Sequence, residues 1–147
     1  MKALQTGKVG RYITDFPNAE LIGAPNAVCV PHLGASTPEA EDNCAVMAAK
    51  QLKDYIENGN IVNSVNYPAV SAAREGRARI CVCHKNVANM IAQFAAAVSA
   101  KGINIANMQD KAKGDYAYGI IDIDGEADGQ LLAAIAAIDG VIKVRAL

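Results

Sequence analysis

His32 is the side chain whose type and position point most directly to chemistry in this sequence. It follows residues 26–30, an apolar run bounded by prolines that predicts a short buried strand, and it precedes a predicted helix start. Because ligands bind at the carboxyl ends of strands in α/β sheets, this position predicts a side chain in a ligand crevice. A histidine there can exchange a proton near neutral pH, although the position alone also fits a structural histidine.

The helix predicted after this histidine has two possible amino-terminal caps. Ser36 stands three residues before Glu39, which is the spacing of a capping box. Thr37 is followed by Pro38, a residue favoured at the first helical position. The amphipathic pattern continues to Asn58, where an Asn-Gly pair predicts the carboxyl end. One long helix therefore follows the histidine loop, with the choice of cap left open.

Length and charge limit the classes of protein to consider. A chain of 147 residues allows one ordinary domain or two small pieces. The net charge is −1, with 14 basic and 15 acidic residues interspersed, so neither nucleic acid nor an anionic membrane surface is an expected partner. No apolar run reaches membrane-spanning length, and the first residues lack the apolar core of a signal peptide. Four cysteines within apolar patterns suit reduced thiols, which predicts a cytoplasmic location.

The second half of the sequence has a regular order of elements. Alternation and helical periodicity predict strands over residues 77–84, 103–108, 116–124 and 141–147, with helices over 88–101 and 128–138. The order β-α-β-β-α-β is the ferredoxin-like split motif of an α+β domain. Residues 1–70 are predicted to be an α/β piece, and the small, polar residues 71–76 are predicted to be a linker.

The first of these strands contains two cysteines and a histidine, residue types that can bind a metal ion. Alternation places Cys81 and Cys83 on one face of the strand and His84 on the other. Zinc sites also use wider cysteine spacing, so no metal site is predicted here.

The residues around His32 resemble a known sequence pattern. The string from residue 31 to 41, PHLGASTPEAE, is similar to the catalytic-histidine loop of the D-isomer-specific 2-hydroxyacid dehydrogenases, in particular the phosphoglycerate dehydrogenases. The resemblance implies that His32 trades a proton with the substrate hydroxyl while NAD takes the hydride from the same carbon. It also implies an acid that orients His32, either Glu20 or Asp15, and it places His32, Gly34, Ala35 and Asp15 near the cofactor.

Other parts of such a dehydrogenase are missing from these residues. No Gly-x-Gly-x-x-Gly fingerprint follows a predicted strand, and the arginine that holds the substrate carboxylate in the family is expected upstream. We therefore expect the carboxyl-terminal portion of an NAD-dependent dehydrogenase of serine biosynthesis. This portion alone is expected to be inactive, with NAD bound only when the missing part is present.

Residues 77–147 resemble an ACT domain, the amino-acid-sensing module that ends many phosphoglycerate dehydrogenases. The resemblance rests on His84-Lys85-Asn86, on Gly102 to Ile105, on Asp115 to Tyr118, on Ile121 to Asp124 and on Gly140 to Arg145. It implies a homodimer formed edge to edge, with L-serine or another small amino acid at the shared interface. By position, His84, Asn86 and Asn104 are the candidate contacts, and Asn89 stands where the family loop often has glycine.

A second interpretation belongs to a different functional class. The chain is alternatively a non-enzymatic module that binds an amino acid or dimerises through its ferredoxin-like domain. The asparagines then have only their ordinary role as turn and strand-end residues.

Overall fold

Four helices and six strands make up the chain in the computed structural model, which describes residues 1–147. The helices are α1 (Lys2–Gln5), α2 (Pro38–Asn58), α3 (Met90–Ser99) and α4 (Gly129–Ala136). The strands are β1 (Tyr12–Thr14), β2 (Ala27–Cys29), β3 (Ala78–Lys85), β4 (Ile105–Lys113), β5 (Tyr116–Ile123) and β6 (Val141–Ala146). They form two compact units, Met1–Met47 and Ala48–Leu147. No helix combines the length and apolarity that crossing a membrane requires.

The first unit contains a small parallel sheet. β1 and β2 pair in parallel, with Thr14 opposite Cys29 at their carboxyl ends. The unit buries little apolar surface: Leu4 is its buried residue, whereas Ile13 and Phe16 are 64% and 76% exposed. The strand predicted at residues 26–30 is confirmed as β2, but its predicted burial is wrong, because the small two-stranded sheet leaves Val28 exposed. The assignment of this piece to a nucleotide-binding domain stays a prediction.

The amino end of α2 shows which of the two predicted caps is used. The backbone N–H of Ala40 donates to Thr37 Oγ1 at 3.2 Å, and Pro38 occupies the first helical position. The N–H of Ser36 instead donates to the carbonyl of Leu33, which closes the turn before the helix. Thr37 therefore caps α2, and Ser36 belongs to the preceding turn.

The second unit contains a four-stranded antiparallel sheet in the order β4-β5-β3-β6. With α3 and α4 between the strands, this order gives the predicted ferredoxin-like βαββαβ fold. Both helices pack on one face, over a core of Ile80, Val82, Met90, Phe94, Val98, Ile121, Ile123, Leu131 and Ile135. Burial of these aliphatic and aromatic side chains is the main source of the unit's stability.

Two element boundaries differ from the prediction for physical reasons. α3 begins at Met90 rather than near residue 88, because Asn89 adopts a left-handed conformation with φ of 70°. β4 continues to Lys113 rather than ending near residue 108, because the polar residues at its end pair with the first half of β5 through their backbones.

The other face of the sheet is also covered. Its buried residues are Ile61, Val70, Cys81, Tyr118 and Ile120, with Tyr55, Tyr67, Cys83 and Leu147 packed against them. The predicted alternation of β3 is therefore confirmed, because alternate residues of the strand enter the two different cores.

Residues 59–76 run along this second face, held by hydrogen bonds. Ile61 and Val70 form an antiparallel bridge, and the N–H of Ala72 donates to Asn60 Oδ1. The N–H of Glu75 donates to Asp122 Oδ2 at 3.1 Å. These bonds make residues 71–76 part of the second compact unit rather than a free linker. The two units divide after Met47, not at the boundary predicted near residue 71.

A buried ion pair lies beneath this segment. Arg79 and Asp122 are fully buried, face each other across β3 and β5, and form two hydrogen bonds of 2.6 and 2.8 Å. The remaining N–H groups of the guanidinium donate to the carbonyls of Asn58, Ala72 and Ala73. Arg79 thereby joins the end of α2, the following segment and the sheet.

The carboxyl end of α2 is capped by side chains from three strands. Besides Arg79, the Arg145 guanidinium donates to the carbonyls of Tyr55 and Ile56, and the Tyr118 hydroxyl donates to the carbonyl of Gly59 at 2.6 Å. The last carbonyls of a helix lack partners within the helix, and cations are favourable near them. These bonds fix the end of α2 on the sheet.

Candidate functional site

His32 and Asp15 are brought together at the carboxyl ends of the parallel strands. Asp15 directly follows β1, and His32 lies three residues beyond β2. His32 Nδ1 lies 2.8 Å from Asp15 Oδ2, and the two side chains are about half exposed. The ring of Phe16 meets the imidazole edge at a centroid distance of 4.6 Å.

This arrangement has the chemistry of an oriented general acid or base. When Nδ1–H donates to the carboxylate of Asp15, Nε2 of His32 is left to exchange a proton with a substrate group. The structure thus gives the orienting position, which the sequence left open, to Asp15.

The other residues predicted around His32 lie apart from the pair. Glu20 lines a separate cavity with Leu4, Tyr12 and Leu21 and forms no bond with His32, so its predicted pairing is corrected to Asp15. Gly34 and Ala35 form the exposed turn between His32 and α2. A Cβ on Gly34 would meet no atom within 4 Å, so the turn leaves open space on that side.

A second candidate site is a cavity of about 440 Å³ where β3 ends and α3 begins. The residues that line it are His84, Asn86, Val87, Asn89, Met90, Ile91, Ala92, Ala95 and Asp110. Asn86 shapes the loop, because its side-chain amide donates to the carbonyl of Gly114 at 3.0 Å and its N–H donates to the carbonyl of Asp115. The cavity is formed by the end of β3, the loop that precedes α3, α3 itself and Asp110 of β4.

His84 is the buried polar group of this cavity. Its Nδ1 lies 2.8 Å from the carbonyl oxygen of Lys85, and its Nε2 lies 2.8 Å from Asp110 Oδ2. Burial lowers the pKa of His84, but the hydrogen bonds to Asp110 and to the Lys85 carbonyl outweigh it, so the pKa is raised above its ordinary value. Both partners are acceptors, so an imidazolium beside an ionised Asp110 satisfies both bonds.

The raised pKa of His84 makes stability depend on pH. The charged imidazole stabilises the fold fully below the unfolded pKa, near 6.5, and this contribution is lost as pH rises through the higher folded pKa. We expect the free energy of unfolding, measured by urea denaturation from about pH 6 to about pH 9, to decline in the wild type. The decline should persist in His32→Gln and disappear in His84→Gln; a decline of equal size in both variants would contradict the assignment.

Comparison with known proteins identifies the family. No protein-family model matches the sequence. D-3-phosphoglycerate dehydrogenase of Escherichia coli K12 is 32% identical over 124 residues, which cover 83% of this chain and 30% of that protein. The enzyme of the same name from Haemophilus influenzae is 30% identical over 158 aligned positions, covering 99% of this chain and 38% of that protein. The chain is a homologue of the carboxyl-terminal part of the D-3-phosphoglycerate dehydrogenases.

Two further proteins are similar to parts of this chain. D-3-phosphoglycerate dehydrogenase 2 of Saccharomyces cerevisiae is 34% identical over 110 residues, covering 71% of this chain and 23% of that protein. The chain thus spans between about a quarter and two fifths of the length of these relatives. The solved ACT domain of GTP pyrophosphokinase from Chlorobium tepidum matches 48% of this chain and 95% of that domain, at 22% identity and a TM-score of 0.42.

One residue that the phosphoglycerate dehydrogenase resemblance assigned to the effector site lies elsewhere. Asn104 precedes β4, and its amide donates to Asp124 Oδ2 at 2.8 Å. Since β4 starts opposite the end of β5, Asn104 lies at the end of the sheet opposite His84 and Asn86. Within one chain only His84 and Asn86 lie together, so the predicted contact of all three residues with one effector would require two copies of the chain.

The sequence interpretation also missed a residue of the His84 cavity. Asp110 lay beyond the predicted end of its strand, because the run Gln109-Asp110-Lys111 is polar. The sequence did contain a signal for this residue. A two-residue hairpin turn that begins at Gly114 would pair the residues on either side of it, and counting outward pairs Asp110 with Gly119.

Proposed function

We propose that this chain is the regulatory carboxyl-terminal portion of an NAD-dependent D-3-phosphoglycerate dehydrogenase, with an ACT domain whose His84 cavity binds L-serine. The observation that carries the proposal is the cavity itself. In a homologue of these dehydrogenases, the buried His84 and the loop residue Asn86 line one cavity at the amino end of α3. Asparagine amides and a helix amino terminus suit the polar groups of a zwitterion.

The proposal includes a homodimer. β4 is an edge strand, and unpaired backbone groups at a sheet edge favour pairing with a second copy. Two β4 strands paired antiparallel would put Asn104 of one copy at the same end of the joined sheet as His84 of the other. The separation of Asn104 from His84 within one chain thus supports a site shared between two copies.

The first unit is proposed to supply catalytic residues to the complete enzyme. There, His32, oriented by Asp15, would exchange the proton of the substrate hydroxyl of 3-phosphoglycerate. The glycine-rich fingerprint that cradles the phosphates of NAD does not occur in these 147 residues. We therefore propose that the missing part of the enzyme supplies the phosphate-binding loop for NAD, with His32, Gly34, Ala35 and Asp15 near the bound cofactor. This chain alone is then inactive, and NADH formation by the purified chain would contradict that part of the proposal.

A second candidate function is a non-enzymatic amino-acid-binding or dimerisation module. The difference between the two units favours it: residues 48–147 have two buried clusters, whereas residues 1–47 bury only Leu4. The ferredoxin-like unit thus contains the packing that a module needs to fold without the catalytic part.

The sensing role predicts that Asn104 affects serine binding across the dimer. We expect the 147-residue protein to sediment as a dimer and to bind L-serine in calorimetry. Asn104→Ala should weaken binding by about 5- to 150-fold if its amide meets a buried ligand atom. Asn66→Ala, an exposed asparagine outside the cavity, is the matched control and should leave the affinity unchanged. A monomer that binds no serine at millimolar concentration, or an Asn104→Ala dimer with unchanged affinity, would contradict the shared site.

A further inference from the structure

Asp110 is the acidic side chain in the wall of the His84 cavity. It stands in β4, and its side chain is 11% exposed. Its Oδ2 is engaged with His84 Nε2 at 2.8 Å, whereas its Oδ1 forms no hydrogen bond in the structure. The cavity wall therefore contains a carboxylate oxygen that is accessible from the cavity and available to accept a hydrogen bond.

His84 itself has no nitrogen left for a ligand. Nδ1 is occupied by the Lys85 carbonyl and Nε2 by Asp110. The bond from His84 fixes the direction of the Asp110 side chain, and the imidazole cannot donate a further hydrogen bond. A polar molecule in the cavity consequently meets Asp110 rather than the imidazole nitrogens.

Gly119 provides the space for this arrangement. It is the buried residue of β5 opposite Asp110 in the strand register. A Cβ at this position would lie 2.9 Å from Asp110 Oδ2, closer than two such atoms approach. The glycine thus allows the carboxylate to reach across β5 to His84. The bond between Asp110 and His84 therefore depends on the absence of a side chain at Gly119.

The charge of the cavity then determines which ligands fit. Apart from Asp110 and His84, the lining side chains are neutral, and the polar ones are Asn86 and Asn89. A protonated amine placed against Asp110 forms a charge-assisted hydrogen bond, whereas an anion without an amine meets the carboxylate with no compensating partner. The cavity chemistry therefore favours an ammonium compound.

We propose that Asp110 binds the ammonium group of the small molecule in the His84 cavity and thereby excludes hydroxy acids that lack an amine. This inference rests on the proposed function, because it names the group that selects the effector. Asp110 would be the residue by which the site distinguishes an amino acid from a hydroxy acid of the same carbon skeleton.

The test compares two ligands that differ in one group. L-glycerate has the skeleton and carboxylate of L-serine, with a hydroxyl in place of the ammonium. In calorimetry on the 147-residue protein, we expect serine to bind at least about tenfold more tightly than glycerate, the scale of one charge-assisted hydrogen bond. In Asp110→Asn, which keeps the side-chain shape, the two affinities should converge to within about threefold.

Control variants distinguish ligand recognition by Asp110 from a contribution of Asp110 to the folded structure. Glu126→Gln removes the same charge from an exposed position outside the cavity and should keep the wild-type affinity ratio. Asp110→Ser provides a second neutral variant should Asp110→Asn fail to fold. If Asp110 were only structural, its substitution would weaken the binding of both ligands equally and leave the ratio of their affinities unchanged. That result would overturn this inference, whereas serine binding by the wild type would still support the proposed function. Binding of neither ligand by the wild type at about 10 mM would overturn both.

Discussion

Replacing Arg79 by methionine is expected to lower the free energy of unfolding by about 3–5 kcal/mol, the cost of leaving one partner of a buried ion pair alone. Arg79 and Asp122 have no exposed surface, so no water can replace the lost guanidinium. The carbonyls of Asn58, Ala72 and Ala73 lose their donor in the same variant. Urea denaturation followed by circular dichroism measures the effect.

Two further variants show that the effect comes from the pair. Arg77→Met removes a guanidinium two residues earlier, at an exposed position, and should change stability by no more than about 0.5 kcal/mol. In Arg79→Met combined with Asp122→Leu no carboxylate stays buried alone, so the double variant should be more stable than Arg79→Met. Equal stability of Arg79→Met and Arg77→Met would show that the buried pair contributes nothing.

The fold was predictable where the sequence pattern is local. The apolar alternation in β3 and the glycines that end α2 and α3 depend on residues close together in the chain. The order βαββαβ followed from these elements, and the strand order of the ferredoxin-like sheet agrees with it. The Arg79–Asp122 pair was not predicted, because it joins residues 43 apart and depends on the exact register of β3 with β5.

The candidate sites show the same division. The position of His32 after a strand was predictable, but the choice of Asp15 over Glu20 depended on where β1 ends. Asp110 was missed because a polar run at a strand end looks like a turn, although the backbone pairing extends through it. The resemblance grouped Asn104 with His84 and Asn86, but it could not show that Asn104 lies at the other end of the sheet within one copy.

Substituting alanine for Gly59 is expected to lower the free energy of unfolding by about 2–5 kcal/mol, the sum of left-handed strain and overpacking. Gly59 ends α2 with φ of +73°, a conformation that side chains rarely adopt. An added Cβ would collide with Cys81 Sγ and lie 3.3 Å from Leu147 Cδ1 and from the Tyr118 hydroxyl. The substitution would therefore push the end of α2 off the sheet and disturb the bond from Tyr118 to the Gly59 carbonyl.

Gly102→Ala is the matched control for backbone strain. Gly102 has φ of +69° beyond the end of α3, but a Cβ there meets no atom within 4 Å. It should cost only about 1–2 kcal/mol, so the difference between the two variants in urea denaturation measures the packing of α2 against the sheet. Cys81→Ala, which removes the colliding sulfur, should make Gly59→Ala less costly in combination than the two single effects predict. Equal losses for Gly59→Ala and Gly102→Ala would mean that the end of α2 does not pack tightly against Cys81 of β3 in solution.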